Sequence, residues 1–254
     1  MDSPTTPFVR VDIDRHIAHI RFFHPAGNSF PAAQLTALEA AFIDLRTQSE
    51  VHAIVLQSEG QGPFCAGASF DELLQVQNEA EGLAFFSGFA KVINAMRQCP
   101  QWIVGRVHGK AVGGGVGLVA ACDYVFATDK AAVKLSEIAI GIGPFVIEPA
   151  VSRKIGTQAM TALAYAPEQW QSAAWAHQHQ LYQQLFADTD RMDAALTQYV
   201  DALRSYNPEA MQALKAIAWE GTAHWAQLLP ERAAISGRLV LSDFTRHALA
   251  AFKK

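Results

Sequence analysis

Residues 110–123 read KAVGGGVGLVAACD, with Gly113, Gly114, Gly115 and Gly117 inside five positions. Glycine weakens the interior of a helix or strand, so such a cluster needs a backbone reason: a sharp turn, or an approach too close for a side chain. The uncharged run from Ala111 to Cys122 has the length of a buried helix and is too short to span a membrane. Three readings fit: tight core packing, a phosphate-binding dinucleotide turn, or backbone amides aimed at a substrate oxygen.

Composition narrows the partners. A chain of 254 residues, 50% apolar, can bury a large core. Its formal charge is −4 and it has no long basic run, which argues against nucleic acid or an anionic membrane. A polyanionic small ligand therefore needs local basic residues. Cys65, Cys99 and Cys122 are odd in number and unclustered, so neither a disulfide frame nor a metal site is indicated. The start, MDSPTTPF, lacks the apolar stretch of a secretory leader, and a cytoplasmic enzyme is the expectation.

Along the chain, Val9–Phe23 alternates as a hairpin or two short strands, and Ala32–Arg46 places Leu35, Leu38, Phe42 and Leu45 on one helical face. Val51–Gln57 reads as a strand, SEGQGPFCAGASF as a loop, and Asp71–Gln77 as the start of a helix. Then come a helix over Ala84–Gln98, a strand over Trp102–Val107, the glycine-opened helix, and short strands over Tyr124–Ala127 and Ala132–Leu135. This pattern repeats strand, strand, helix. From Pro167 onward no strand is expected, only helices over Gln169–Gln184, Arg191–Ser205, Pro208–Trp219 and Ala223–Ala251. The expected division is a mixed core, residues 1–190, and a helical region, 191–254.

The dinucleotide reading matches Gly115, Gly117 and Ala120 to G-x-G-x-x-A, with Glu137 twenty residues beyond Gly117. Against it, that fingerprint usually opens its domain, and here more than a hundred residues precede it. The packing reading leaves the earlier loop, FCAGASF, unexplained. The third reading uses both loops. Two fixed backbone N–H groups stabilise a carbonyl that becomes an oxyanion, each contributing about 3–4 kcal/mol. One comes from a helix N-terminus, the other from a glycine-flanked loop.

PFCAGASFDEL, GKAVGGGVGLVAACDYVFATDKAAVKLSEIAIGIGP, HPAGNSF and NPEAMQALK together resemble the crotonase superfamily of enoyl-CoA hydratases and isomerases, over nearly the whole chain. The resemblance implies an α/β spiral of repeated ββα units, a C-terminal helical trimerisation region, an acyl-CoA thioester substrate, and a homotrimer or hexamer. No cofactor is implied, since coenzyme A is part of the substrate. It also implies oxyanion donors at Ala68 and Gly114, a substrate-lining role for Ala66, Gly67 and Gly113, and a catalytic carboxylate at Glu137. Where the family's hydratases carry a second glutamate, this chain has Gly117.

Hydration divides its proton transfers naturally between two carboxylates, whereas moving a double bond needs only one. The departure at Gly117 therefore points to an isomerase. Glu148, eleven residues after Glu137 and held extended by Pro149, is the alternative second carboxylate, which would restore a hydratase. Thioester hydrolysis, decarboxylation and a catalytically weak acyl-CoA binder are further alternatives. Phe70, Leu73, Leu74, Phe85, Phe86 and Phe89 are candidates for an acyl pocket or for plain core. His177 and His179 read as solvated, and Asp123 as a tie for the next strand.

Overall fold

Alternation at the start of the chain produces an antiparallel pair, β1 (Phe8–Asp14) and β2 (Ile17–Phe23). They are joined through Arg15 and His16, both at positive φ (42° and 74°), the sense that suits a two-residue hairpin turn. The chain continues through α1 (Ala32–Arg46), β3 (Ala53–Ser58), α2 (Phe70–Leu73), α3 (Glu79–Gln98), β4 (Trp102–Val107), β5 (Ala111–Val112), α4 (Gly114–Ala121), β6 (Tyr124–Thr128) and β7 (Val133–Lys134). After a 3₁₀ turn at Glu137–Ile140 come α5 (Glu148–Ile155), α6 (Thr157–Tyr165), α7 (Ala173–Gln178), β8 (Gln184–Phe186), α8 (Thr189–Leu203), α9 (Pro208–Ala218), α10 (Trp225–Leu239) and α11 (Asp243–Ala251). This computed structural model describes residues 4–251. The first three residues of MDSPTTPF and the outer ends of the expected two-part division lie outside them.

The main sheet has the order β1-β2-β3-β4-β6-β8, parallel except for the first pair. Its central strands are buried on both faces, as parallel strands are, and so read as continuous apolar runs. One face, with Ile20, Ile54 and Leu56, packs on α1, α3 and α4. The other, with Val55, Val104 and Phe126, packs on Met192, Leu196 and Val200 of α8. A second, small sheet pairs β5 with β7, and single bridges extend it to the two loops, Phe30 with Ala68 and Cys65 with Ala111.

Several expectations are corrected. A strand does occur after Pro167: β8 pairs with the exposed edge of β6. The helix expected over Gln169–Gln184 is only α7, because Gln180 turns left-handed (φ 65°) and redirects the chain into that strand. The helix expected over Ala223–Ala251 is two helices, broken at residues 240–242. The helix expected to start at Asp71 is a single turn capped by Ser69, whose hydroxyl accepts from the Glu72 N–H. Glu148 is the first residue of α5 and is helical, since Pro149 suits a first helical turn.

The C-terminal helices are tied to the sheet by polar contacts. Lys215, 4% exposed, donates to the Gln101 carbonyl and ion-pairs with Asp123 at 2.8 Å. Asp123 also accepts from the Ile103 N–H and from Trp219 Nε1, so it ties down β4 as well as α9. Lys154 donates to the Cys122 and Asp123 carbonyls at the C-terminal end of α4, where a cation complements the helix dipole. Trp219 and Trp225 are buried, whereas Leu214 and Ile217 of α9 are 54% and 62% exposed.

α10 crosses α3 at Gly82 and Gly237, where a β-carbon on Gly82 would stand 2.6 Å from the Gly237 carbonyl oxygen. Helix propensity alone makes Gly82→Ala stabilising by about 1 kcal/mol. The contact is with backbone that cannot rotate away, so overpacking should win and the variant should lose ~1–3 kcal/mol. Urea unfolding decides the sign, and a stabilised variant would show that the two helices can move apart.

Candidate active site

The small sheet and the bridges attached to it bring the two glycine loops together. In the first loop the Gly67 carbonyl accepts from the Phe30 N–H at 2.8 Å. The peptide is trans and planar, so the Ala68 N–H points the opposite way. In the second loop the Gly113 carbonyl accepts from the Val116 and Gly117 N–H groups, which turns the Gly114 N–H outward from the start of α4. Among the described residues neither the Ala68 nor the Gly114 N–H has an acceptor. The loops touch: a β-carbon on Gly67 would lie 3.2 Å from the Val112 carbonyl oxygen and 3.8 Å from the Gly114 nitrogen.

Both loops depend on backbone shapes that only glycine adopts readily. Gly67 has φ 91°, and Gly113 has φ 52° with ψ −119°. At the neighbouring glycines, close approach is the requirement. A β-carbon on Gly114 would meet the Phe89 ring at 2.4 Å, and one on Gly117 would meet Ile147 at 2.4 Å and Ile93 at 3.4 Å. The place a side chain at 117 would occupy is therefore filled by aliphatic carbon.

Ala68, Gly114 and Gly113 line one cavity with Ala66, Gly67 and Glu137, leaving about 160 Å³ of room for water-sized spheres. Phe70, Leu73, Phe85, Phe86 and Phe89 form an apolar wall, while Leu74 packs nearby without lining it. α10 adds Ser236 and the segment before α5 adds Ile147. Neither had a sequence signal, because both reach the cavity from distant parts of the chain.

Glu137 is the one carboxylate lining this cavity among the described residues. The residue as a whole is half-buried, but its Oε2 is sealed from water and has no hydrogen-bond partner among the described residues. A β-carbon on Gly113 would stand 2.9 Å from Oε1, so the carboxyl group lies across the residue that precedes the Gly114 amide. Burial pushes its pKa from an ordinary 4.5 up to about 7, partly offset by backbone groups of Glu137 and Ser136. Glu148 does not line the cavity, and its carboxylate accepts from Ser152 Oγ at 2.6 Å within α5.

Cys65, beside the first loop, is fully buried and accepts from the Gly67 N–H. Burial pushes its thiol up to about 12, which keeps it protonated. His177 and His179 are half-buried rather than solvated: His177 bonds the Tyr182 carbonyl, and the His179 ring packs on Trp175. A larger groove, about 510 Å³, lies beside α8, but Arg21, Arg106 and Arg204 there are paired with Asp12 and Glu59, Asp193, and Asp14 and Asp201. Among the described residues no cluster of three or more His, Cys, Asp or Glu is placed to hold a metal, and no helix is long and apolar enough to cross a membrane.

Residues 12–241 match the family model described as enoyl-CoA hydratase/isomerase. The mitochondrial Delta(3,5)-Delta(2,4)-dienoyl-CoA isomerase of Mus musculus is 25% identical over 79% of this chain and 65% of its own length. The mitochondrial methylglutaconyl-CoA hydratase of Rattus norvegicus is 33% identical over 46% and 37% respectively. The chain spans about half the length of the first curated relatives it matches. Among solved structures, an enoyl-CoA hydratase from Bacillus halodurans superposes with a TM-score of 0.89 at 21% identity, covering 96% of this chain and 99% of the other. At that identity the likeness speaks to the fold.

The desolvated carboxylate has a stability consequence. The folded pKa of Glu137 lies above the unfolded value, so its contribution is fully present below about pH 4.5 and is lost as pH rises through about 7. Glu137→Gln carries no charge and escapes that loss. It should be more stable than the parent at pH 8 by on the order of 2–3 kcal/mol, with a much smaller difference at pH 5. Urea midpoints at the two pH values measure it; a difference independent of pH would mean the carboxylate is solvated.

Proposed function

The chain belongs to the enoyl-CoA hydratase/isomerase family, and on that premise we propose that it is an enoyl-CoA isomerase working through Glu137 alone. The observation that carries this reading is the pairing of one cavity carboxylate with an aliphatic filling, Ile147 and Ile93, at Gly117. A second acid at 117 has no room, and Glu148 is occupied within its own helix. Hydration needs a water held and deprotonated, and that side of the cavity offers it carbon.

The proposed reaction starts with the thioester oxygen of a 3-enoyl-CoA accepting from the Ala68 and Gly114 N–H groups. The Glu137 carboxylate takes a proton from C2. The electrons of that C–H bond form a C1=C2 bond as the carbonyl pair moves onto the thioester oxygen, giving a dienolate. That pair then re-forms the carbonyl, the C1=C2 pair becomes the C2=C3 bond, and the C3=C4 pair takes up the proton that Glu137 returns at C4. In between, the charge rests on the thioester oxygen, where two preorganised donors are most effective. A carboxylate with a pKa near 7 is a stronger base than an ordinary glutamate, yet is ionised for much of the population at neutral pH. The exposed Leu214 and Ile217 on α9 support contact with further copies of the chain, and a homotrimer or hexamer is the proposed assembly. Light scattering that returns a monomer at micromolar concentration would reject it.

Product analysis with both a 3-enoyl-CoA and a 2-enoyl-CoA tests the reaction. An isomerase interconverts the two and forms little 3-hydroxyacyl product. Glu137→Gln should lose ~10²–10⁴-fold in turnover, whereas Glu148→Gln should stay within a few-fold of the parent. In the parent, kcat/KM should fall about tenfold per pH unit well below pH 7, as the base becomes protonated. Accumulation of 3-hydroxyacyl-CoA, with both variants collapsing together, would instead favour a hydratase. Full turnover by Glu137→Gln would sink both readings.

A further inference from the structure

A coenzyme A thioester carries a nucleotide with several phosphate charges, and a chain of net charge −4 must receive that end locally. The rim of the catalytic cavity near Phe70 is unsuited to it, because the next residues, Asp71 and Glu72, are acidic. The side lined by Ala66 and Val112 differs. There a second cavity of about 430 Å³ shares Ala66 and Val112 with the catalytic one and is lined also by Lys110, Lys130 and Trp170.

Trp170 is 41% exposed and gathers charge. Lys110 Nζ lies 4.6 Å from its ring centroid and Lys134 Nζ 5.1 Å. Among the described residues, Lys110, Lys130 and Lys134 have no ion pair with a carboxylate. This is the reverse of the larger groove, whose arginines are already neutralised. Two ammoniums held over one ring repel each other, and the ring offsets only part of that repulsion. An anion with several oxygens relieves the rest, and an ammonium over a ring keeps N–H donors free for it.

The register links this patch to the chemistry. Lys110 directly precedes β5, and Lys134 stands opposite Val112 in the β5–β7 pair. Gly113 and Gly114 follow Val112 directly. At roughly 3.3 Å per residue, the patch begins a few residues along the strand from the Gly114 amide. That is within the reach of the pantetheine arm of a bound thioester. We propose that Lys110, Lys134 and Lys130, organised by Trp170, bind the phosphates at the nucleotide end of the substrate. This rests on the acyl-CoA reading above.

The test compares two non-reactive ligands by calorimetry: an acyl-CoA thioether and the matching acyl-pantetheine thioether, which lacks the nucleotide. In the double variant Lys110→Ala/Lys134→Ala, checked for an unchanged melting temperature, the acyl-CoA thioether should bind about tenfold or more weakly. Binding of the acyl-pantetheine thioether should not change. Raising salt should weaken acyl-CoA binding to the parent more than to the variant. The conservative pair Lys110→Arg/Lys134→Arg should recover much of the affinity. Unchanged acyl-CoA affinity in the alanine variant, or equal weakening of both ligands, would overturn the phosphate site while leaving the acyl-CoA reading intact. A parent protein that binds neither ligand would overturn the acyl-CoA reading, and the phosphate site with it.

Discussion

Two backbone N–H groups that have no acceptor among the described residues, at Ala68 and Gly114, are the constraint from which the site is built. A buried peptide donor normally finds a partner, and leaving one open is unfavourable. Here each is held open because the carbonyl of the same peptide is engaged, Gly67 by the Phe30 N–H and Gly113 by the first turn of α4. Neither peptide can rotate to satisfy its donor without breaking those bonds. The bridges from Phe30 to Ala68 and from Cys65 to Ala111 hold the first loop in place, and the β5–β7 pairing holds the second. Phe89 under Gly114 closes the remaining freedom. Gly67 and Gly113 are required for their positive φ, and Gly114 and Gly117 because the crowding leaves no room for β-carbons.

Glu137 extends the same logic to a side chain. Its carboxylate lies across Gly113, and its Oε2 is sealed and, among the described residues, unpartnered. An unmet group of this kind weakens the resting protein and marks where a substrate proton belongs. The apolar filling at Gly117 completes the site by withholding a competing partner. Stability and proposed reactivity therefore pull against each other at one residue.

Much of this was legible in the sequence. The bounds of α1 and β4 follow from apolar spacing, and the two glycine loops are visible because glycine at such density has few other uses. The spacing of Glu137 from the glycines fitted a dinucleotide fingerprint as well, and only the resemblance to the crotonase superfamily implied it as a catalytic carboxylate. What was hidden depended on contacts between distant segments. The three residues of β8 are a strand only because β6 offers an edge, and no glycine in the sequence marks the left-handed turn at Gln180. Ile147 fills the space beside Gly117 from thirty positions away, and spacing rules do not see across such distances. Glu148 shows the reverse error: its proximity in sequence made it a candidate, but helix α5 turned it towards Ser152.

The buried ammonium of Lys215 sets a condition on assembly. Until β4 and β6 have paired, its two partners, the Gln101 carbonyl at the head of β4 and the Asp123 carboxylate at the head of β6, are not side by side. An unpaired ammonium cannot leave water at low free energy. Burial of that ammonium under α9 is therefore favourable only against a sheet whose centre is paired and in register. Removing α9 from the sheet would in turn leave both the ammonium and the Asp123 carboxylate short of a partner, so the helical region is held to the layer beneath it by more than apolar contact.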